Sequence, residues 1–210
     1  MICDHRPQQT EVRNQGAGRD TCAGFAISAA QEWHDQTGEL LSPENAIWAA
    51  HQIGGDPQVE ATTVERACEG LAIHSAVLDP AWPHAKPPFP ADRPPDAQDP
   101  VNHRDLPPWE RISPPTHTAL DTALGGGRPV IVTFRLVPRA WYHNDDEIDA
   151  APGAPIVGGH AVLAVGIDAQ DRLIIKNSWG PWWGDAGYGY ITPRYLQSYG
   201  VVAHALGAAA

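Results

Sequence analysis

Cys22, His160 and Asn177 are the residues of this chain whose types and order could carry covalent chemistry. A thiolate is a strong nucleophile, but a free thiol with a pKa of about 8.5 is mostly protonated at neutral pH. The unpaired N–H groups at a helix N-terminus favour the anion and lower that pKa. Cys22, Phe25, Ala26, Ala29, Ala30 and Trp33 recur at helical spacing, and Asp20 or Thr21 can cap the start. Cys22 is therefore expected in the first turn of a buried, mostly apolar helix that ends at Gly38. A free Cys is more often a small core residue than a nucleophile, so position alone does not decide. His160 adds the missing base. It follows Gly158-Gly159 and opens an apolar strand. A turn at Asp168-Ala169-Gln170-Asp171 returns the chain through residues 172–177, which brings Asn177 back beside His160. An Asn amide oxygen there can accept the imidazole N–H and fix the ring's tautomer and orientation. Cys, His and Asn together suit acyl transfer through a thioester.

Those three residues need a scaffold of two characters. The first part of the chain reads as helical. Beyond the Cys22 helix, a second is expected from Ser42-Pro43-Glu44, with Ser42 as cap and Pro43 in the first helical position. A third spans about 63–71, with Gly70 near its end. Residues 80–115 contain twelve of the 21 prolines, which excludes a regular helix or a central strand. This stretch reads as an irregular surface connection pinned by Trp82, Phe89, Leu106, Trp109 and Ile112. After a short helix over 117–124 the pattern turns to strands, at 129–134, 160–167, 172–177 and 187–191. Helices followed by strands imply an α+β protein. The expected organisation is one domain over 1–210, with a helical lobe over about 1–115 and a β lobe over 116–210.

Composition narrows the classes of function. Hydrophobic residues make up 42% of the 210, enough for a packed core. The formal net charge of -11 disfavours nucleic acid and anionic membrane as partners. No apolar stretch approaches the length of a membrane span, and residues 1–6 have no apolar signal-peptide core. A cytoplasmic location is favoured, with non-classical export as the alternative. Three cysteines do not make a disulfide framework and fit a reducing compartment. Scattered histidines and the absence of C-x-x-C or H-E-x-x-H leave no expected metal site and no expected cofactor.

Three blocks then become specific. Asn14-Gln15-Gly16 with Thr21-Cys22-Ala23-Gly24-Phe25-Ala26, then Gly159-His160-Ala161-Val162, then Lys176-Asn177-Ser178-Trp179-Gly180 with Trp183-Gly184 and Gly187-Tyr188, resemble the signature blocks of the papain family of cysteine peptidases. Their order and separations match that family, and Leu41-Ser42-Pro43-Glu44 resembles the start of its second helix. The resemblance implies a two-lobed papain-like fold with a cleft between the lobes. It implies Cys22 as nucleophile, His160 as base, Asn177 as orienting residue and Gln15 as an oxyanion donor beside the Cys22 N–H. It places Trp179 over the His–Asn bond and Trp183 on the leaving-group side. Ala61, Thr133, Gly158, Gly159 and Ala161 fall where substrate would be bound.

The chain also departs from the family pattern. The gap from Gln15 to Cys22 is one residue longer than usual, and Ala23 stands where plant members carry Trp. Arg19 occupies the expected place of a disulfide cysteine, which resembles the bacterial branch. Glu60-Ala61-Thr62 falls where a substrate-binding glycine pair is usual, and an inhibitory propeptide ahead of the domain is not expected. The implied activity is peptide-bond hydrolysis on a peptide or protein substrate. A peptide ligase, cyclase or deamidase would share the same acyl-enzyme, and a catalytically silent binding module would share the fold. Oligomeric state is not legible in the sequence.

Overall fold

The structure is a computed structural model, and it describes residues 2–56, 59–84, 92–142 and 146–208. The first strand, β1 (Cys3–Asp4), leads through an irregular segment into helices α1 (Cys22–Asp35), α2 (Pro43–Gln52) and α3 (Val64–His74). A small hairpin-like pair, β2 (Ala76–Val77) and β3 (His103–Arg104), brackets the short helix α4 (Pro95–Gln98). Next come β4 (Trp109–Ile112), α5 (His117–Gly125), β5 (Val130–Leu136), α6 (Pro138–Trp141) and β6 (Glu147–Ile148). The chain closes with β7 (Gly158–Ile167), β8 (Leu173–Lys176), β9 (Tyr188–Ile191), α7 (Pro193–Tyr199) and β10 (Gly200–Leu206).

Helices α1 to α3 pack on one another, and α1 also lies against β7 of the main sheet. Among the described residues that sheet has eight strands in the order β4-β10-β5-β7-β8-β9-β6, with β1 added alongside β7. Every pairing is antiparallel except β6 with β9. The expected α+β segregation is therefore present, and the sheet also recruits β1 and β4 from the part expected as the helical lobe.

The reasons are local. Helix α1 is apolar nearly all round, and Ala23, Phe25, Ile27, Ala30 and Trp33 are buried, which is the pattern of a central helix. It ends at Asp35, where Gln36 takes a left-handed conformation at φ 52, rather than running to Gly38. Helices α2 and α3 begin where Ser42 and Thr63 accept the N–H of Asn45 and Arg66. The described part of the proline-rich stretch contains more regular structure than its composition suggested. Pro107 and Pro108 lead into β4, a strand at the sheet edge, where a missing ladder donor is tolerated. Of the expected anchors, Trp82 is buried against Val77 and Ala97, while Leu106, Trp109 and Ile112 are half-buried against the main core. Phe89 lies outside the described residues. Strand β10, a nearly continuous apolar run buried over its last four residues, and helix α7, capped by Thr192, were not expected from the sequence.

Gly70 sits within α3 where the backbone of α2 comes close. A Cβ there would lie 2.3 Å from the Ala49 carbonyl oxygen, a distance that forces the helices apart. Gly70→Ala is therefore expected to destabilise the fold by about 1–3 kcal/mol, measured by denaturant unfolding. Unchanged stability would contradict this close approach.

Candidate active site

Cys22 is the first residue of α1. The expected cap does not form: Thr21 occupies the cap position without a side-chain hydrogen bond to the helix. The opening N–H groups of α1 therefore stay available to a nearby anion. Burial pushes the Cys22 thiol up, whereas the backbone N–H groups of Ala161 and Ala23 act in the opposite direction by favouring the thiolate. Ala161 is the residue after His160, so the sulfur already lies against the head of β7.

His160 is carried by β7, opposite Phe134 of β5, and is 3% exposed. Its Nε2 lies 2.8 Å from Asn177 Oδ1. The same oxygen accepts the Ser178 N–H at 2.8 Å, which identifies it as the acceptor and Nε2–H as the donor. In the neutral ring the lone pair is then on Nδ1, the nitrogen a base must use. Burial lowers the His160 pKa to about 4, and the Asn177 bond opposes that shift. Asn177 reaches this place because β8 ends at Lys176, paired with Leu163, after a one-residue register shift between Ala164 and Gly166.

Aromatic rings enclose the pair. Trp179 stacks on His160 at 4.6 Å and 24°. Trp141 meets the same imidazole edge-on at 5.2 Å and 89°. Trp183 is further back, stacked on Trp141 and donating its indole N–H to the Trp141 carbonyl. The exposed indole beside the cleft is instead Trp182. Trp141 and Trp182 were not singled out from sequence. Trp141 stands in an unremarkable Pro-Arg-Ala-Trp segment, and Trp182 was passed over for its neighbour.

Two recesses meet at Cys22, Gly159 and His160. One is bordered by Gln15, Tyr142, Trp179 and Trp182. The other contains all five expected substrate-side residues, Ala61, Thr133, Gly158, Gly159 and Ala161. It adds residues the sequence reading missed, chiefly Val157, Val202 and His204. Neither ring nitrogen of His204 has a hydrogen-bond partner among the described residues, and a histidine in an otherwise apolar β10 was the available signal. Gln15 is brought to the cleft despite the longer loop. Its Oε1 accepts from Ser178 Oγ at 2.6 Å, and its Nε2 donates to the Arg19 carbonyl at 2.6 Å. One amide N–H therefore remains for another acceptor. Among the described residues, no His, Cys, Asp and Glu cluster could hold a metal ion, and no helix is long and apolar enough to cross a membrane.

The stacking geometry generates a test independent of activity. The His160 Nε2–H, buried and bonded to Asn177, is expected to give a proton NMR signal protected from solvent exchange. Trp179→Ala should accelerate its exchange or abolish the signal. Identical exchange in the variant would show that the indole does not shield the bond.

Comparisons with known proteins bear on the family and the fold of the chain. The family model described as papain family cysteine protease matches residues 95–208, a span that includes His160 and Asn177 but not Cys22. Cysteine proteinase 2 of Zea mays is 40% identical over 74 residues, covering 33% of this chain and 21% of that protein. Cathepsin B-like CP3 of Giardia intestinalis is 39% identical over 74 residues, covering 33% of this chain and 24% of that protein. The chain thus spans roughly a fifth to a quarter of the length of these curated relatives in the aligned region. The structure of xylellain, a cysteine protease from Xylella fastidiosa, superposes with a TM-score of 0.84 at 21% identity, over 99% of this chain and 87% of that one. A Carica candamarcensis cysteine protease, CMS1MS2, in complex with E-64 gives 0.70 at 26% identity, over 98% and 97%. Matched over more than half its length by the family model, and sharing this two-lobed fold from end to end, the chain belongs to the papain family of cysteine proteases.

Proposed function

We propose that Cys22, His160 and Asn177 are the catalytic triad of a peptidase that hydrolyses peptide bonds through a thioester. The observation that carries the reading is a single convergence. Cys22 at the uncapped start of α1 and His160, held by Asn177, border the same two recesses.

The chemistry follows from that placement. The Cys22 proton passes to His160 Nδ1, giving a thiolate–imidazolium pair. Each charge is disfavoured alone by burial, but each favours the other when the two form together. The sulfur attacks the peptide carbonyl carbon, and the carbonyl π electrons move to oxygen. The Cys22 N–H and the remaining Gln15 amide N–H donate to that oxyanion, whose charge exists only during the reaction. Collapse expels the amine, which takes the proton from His160, and leaves a thioester on Cys22. Water then attacks the thioester carbon while His160 Nδ1 takes its proton, and breakdown returns the thiol and releases the acid. Asn177 keeps the ring in the tautomer these transfers need.

The recess bordered by Ala61, Thr133, Gly158, Gly159 and Ala161 is assigned to the acyl side of the substrate, and the one bordered by Trp182 to the leaving-group side. The acyl-side recess is largely apolar, with Val157 and Val202 among its walls, which favours an apolar side chain. The residues 1–210 are taken as one papain-like unit.

Digestion of a peptide library by the protein is expected to give new carboxyl and amino termini that Cys22→Ala abolishes. His160→Ala should lower the rate by at least about 10³-fold. Products joined to an added amine rather than to water would favour a ligase or cyclase. Tight peptide binding without turnover would favour the silent binding module and defeat the peptidase reading.

A further inference from the structure

The tip of the loop that carries Gln15 to Cys22 has almost nothing apolar to bury. Gly16, Ala17 and Gly18 offer no sizeable side chain, and Ala17 and Gly18 are exposed. Gly16 and Gly18 both have positive φ, 82° and 75°, so the loop depends on conformations open chiefly to glycine. Its internal backbone bond, Arg19 N–H to the Gly16 carbonyl, is long at 3.4 Å. Hydrophobic packing cannot hold such a loop, yet Gln15 must present its amide in one place.

Directional bonds supply the hold, and they centre on Arg19. Its side chain is 4% exposed. Nη2 lies 2.7 Å from Glu44 Oε1, and Nε lies 2.5 Å from Glu60 Oε1. The second Glu60 oxygen accepts the Asp20 N–H at 2.9 Å. The main-chain carbonyl of Arg19 accepts one N–H of the Gln15 amide. Glu44 Oε1 is also 2.7 Å from His84 Nδ1, and His84 Nε2 is 2.9 Å from the Gln15 carbonyl oxygen. Both ends of the loop are therefore tied to one buried ion cluster, and Glu44 comes from α2 whereas Glu60 immediately precedes Ala61. Buried charges are costly unless well paired, so this cluster is poor value as mere stabilisation.

We propose that Arg19 is a positioning residue for the oxyanion donor: its bridge to Glu44 and Glu60 holds the carbonyl that fixes the Gln15 amide. This rests on the reading of Gln15 given above. The planar guanidinium can bond two carboxylates at once, whereas a lysine ammonium is a point charge without that fork.

The test compares two reactions of the same sulfur. Acylation by a peptide ester builds charge on a carbonyl oxygen. Alkylation by iodoacetamide displaces iodide and builds none. Both rates are measured for the wild-type protein, Arg19→Lys, Gln15→Ala and the double variant. Arg19→Lys is expected to lower kcat for acylation by roughly 10- to 100-fold with KM little changed, while the Cys22 alkylation rate stays within about twofold. In the Gln15→Ala background, Arg19→Lys should cost nothing further. Should Arg19→Lys fold poorly, Glu60→Gln serves the same comparison, since its amide oxygen still accepts the Asp20 N–H. Equal losses in both reactions, no loss in either, or losses that multiply in the double variant would overturn the proposal. Wild-type acylation by Gln15→Ala would instead remove the donor reading itself. An impaired Gln15→Ala beside an unimpaired Arg19→Lys or Glu60→Gln would remove only the positioning role.

Discussion

The contact between the start of α1 and the head of β7 is the constraint on which the site depends. Cys22 and His160 are far apart in sequence, and each is held by a different kind of structure. A buried helix cannot slide without opening cavities along Ile27, Ala30 and Trp33, and a strand paired on both edges cannot shift register without turning its side chains over. Seating one against the other fixes sulfur and imidazole together. The Ala161 N–H that reaches the sulfur is a direct product of that seating.

The same burial sets the electrostatics. Removing water disfavours an isolated thiolate and an isolated imidazolium alike, and under the proposed mechanism this favours one proton shared between Cys22 and His160. Adding a second proton means charging His160 beside a neutral thiol, which burial defers to about pH 4. Cys68 is pushed up to about 12 by its apolar surroundings, and burial also raises Cys3. Trp179 and Trp141 maintain the dry environment on the imidazole side, and Lys176, next to Asn177, is itself buried and lowered to about 8 while bonding to Thr10.

Much of this was legible in the sequence because the decisive features are local. The helical spacing around Cys22, the Ser42-Pro43 start of α2 and the hairpin that returns Asn177 to His160 all depend on neighbouring residues. What was hidden depends on distant parts of the chain. Strand β4 is stabilised by β10, some ninety residues away, which overrides its proline-rich context. The Thr21 cap looked available locally but is not used. Arg19 stood out in the sequence as a departure from the family pattern, but its buried ion cluster did not, because Glu44 and Glu60 lie on other segments. Trp141 escaped notice for the same reason, since only the fold brings it to His160.

The central claim is that Cys22 is an activated nucleophile sharing one proton with His160. The most direct measurement is the rate of iodoacetamide labelling at each cysteine across pH, read by peptide mass spectrometry on the native protein. The account predicts fast, selective labelling of Cys22 that holds well below pH 8, falls only as the pH approaches about 4, and is lost as a low-pH plateau in His160→Ala. Labelling of Cys22 that rises only near the ordinary thiol pKa of about 8.5, or runs no faster than Cys3 or Cys68, would contradict it.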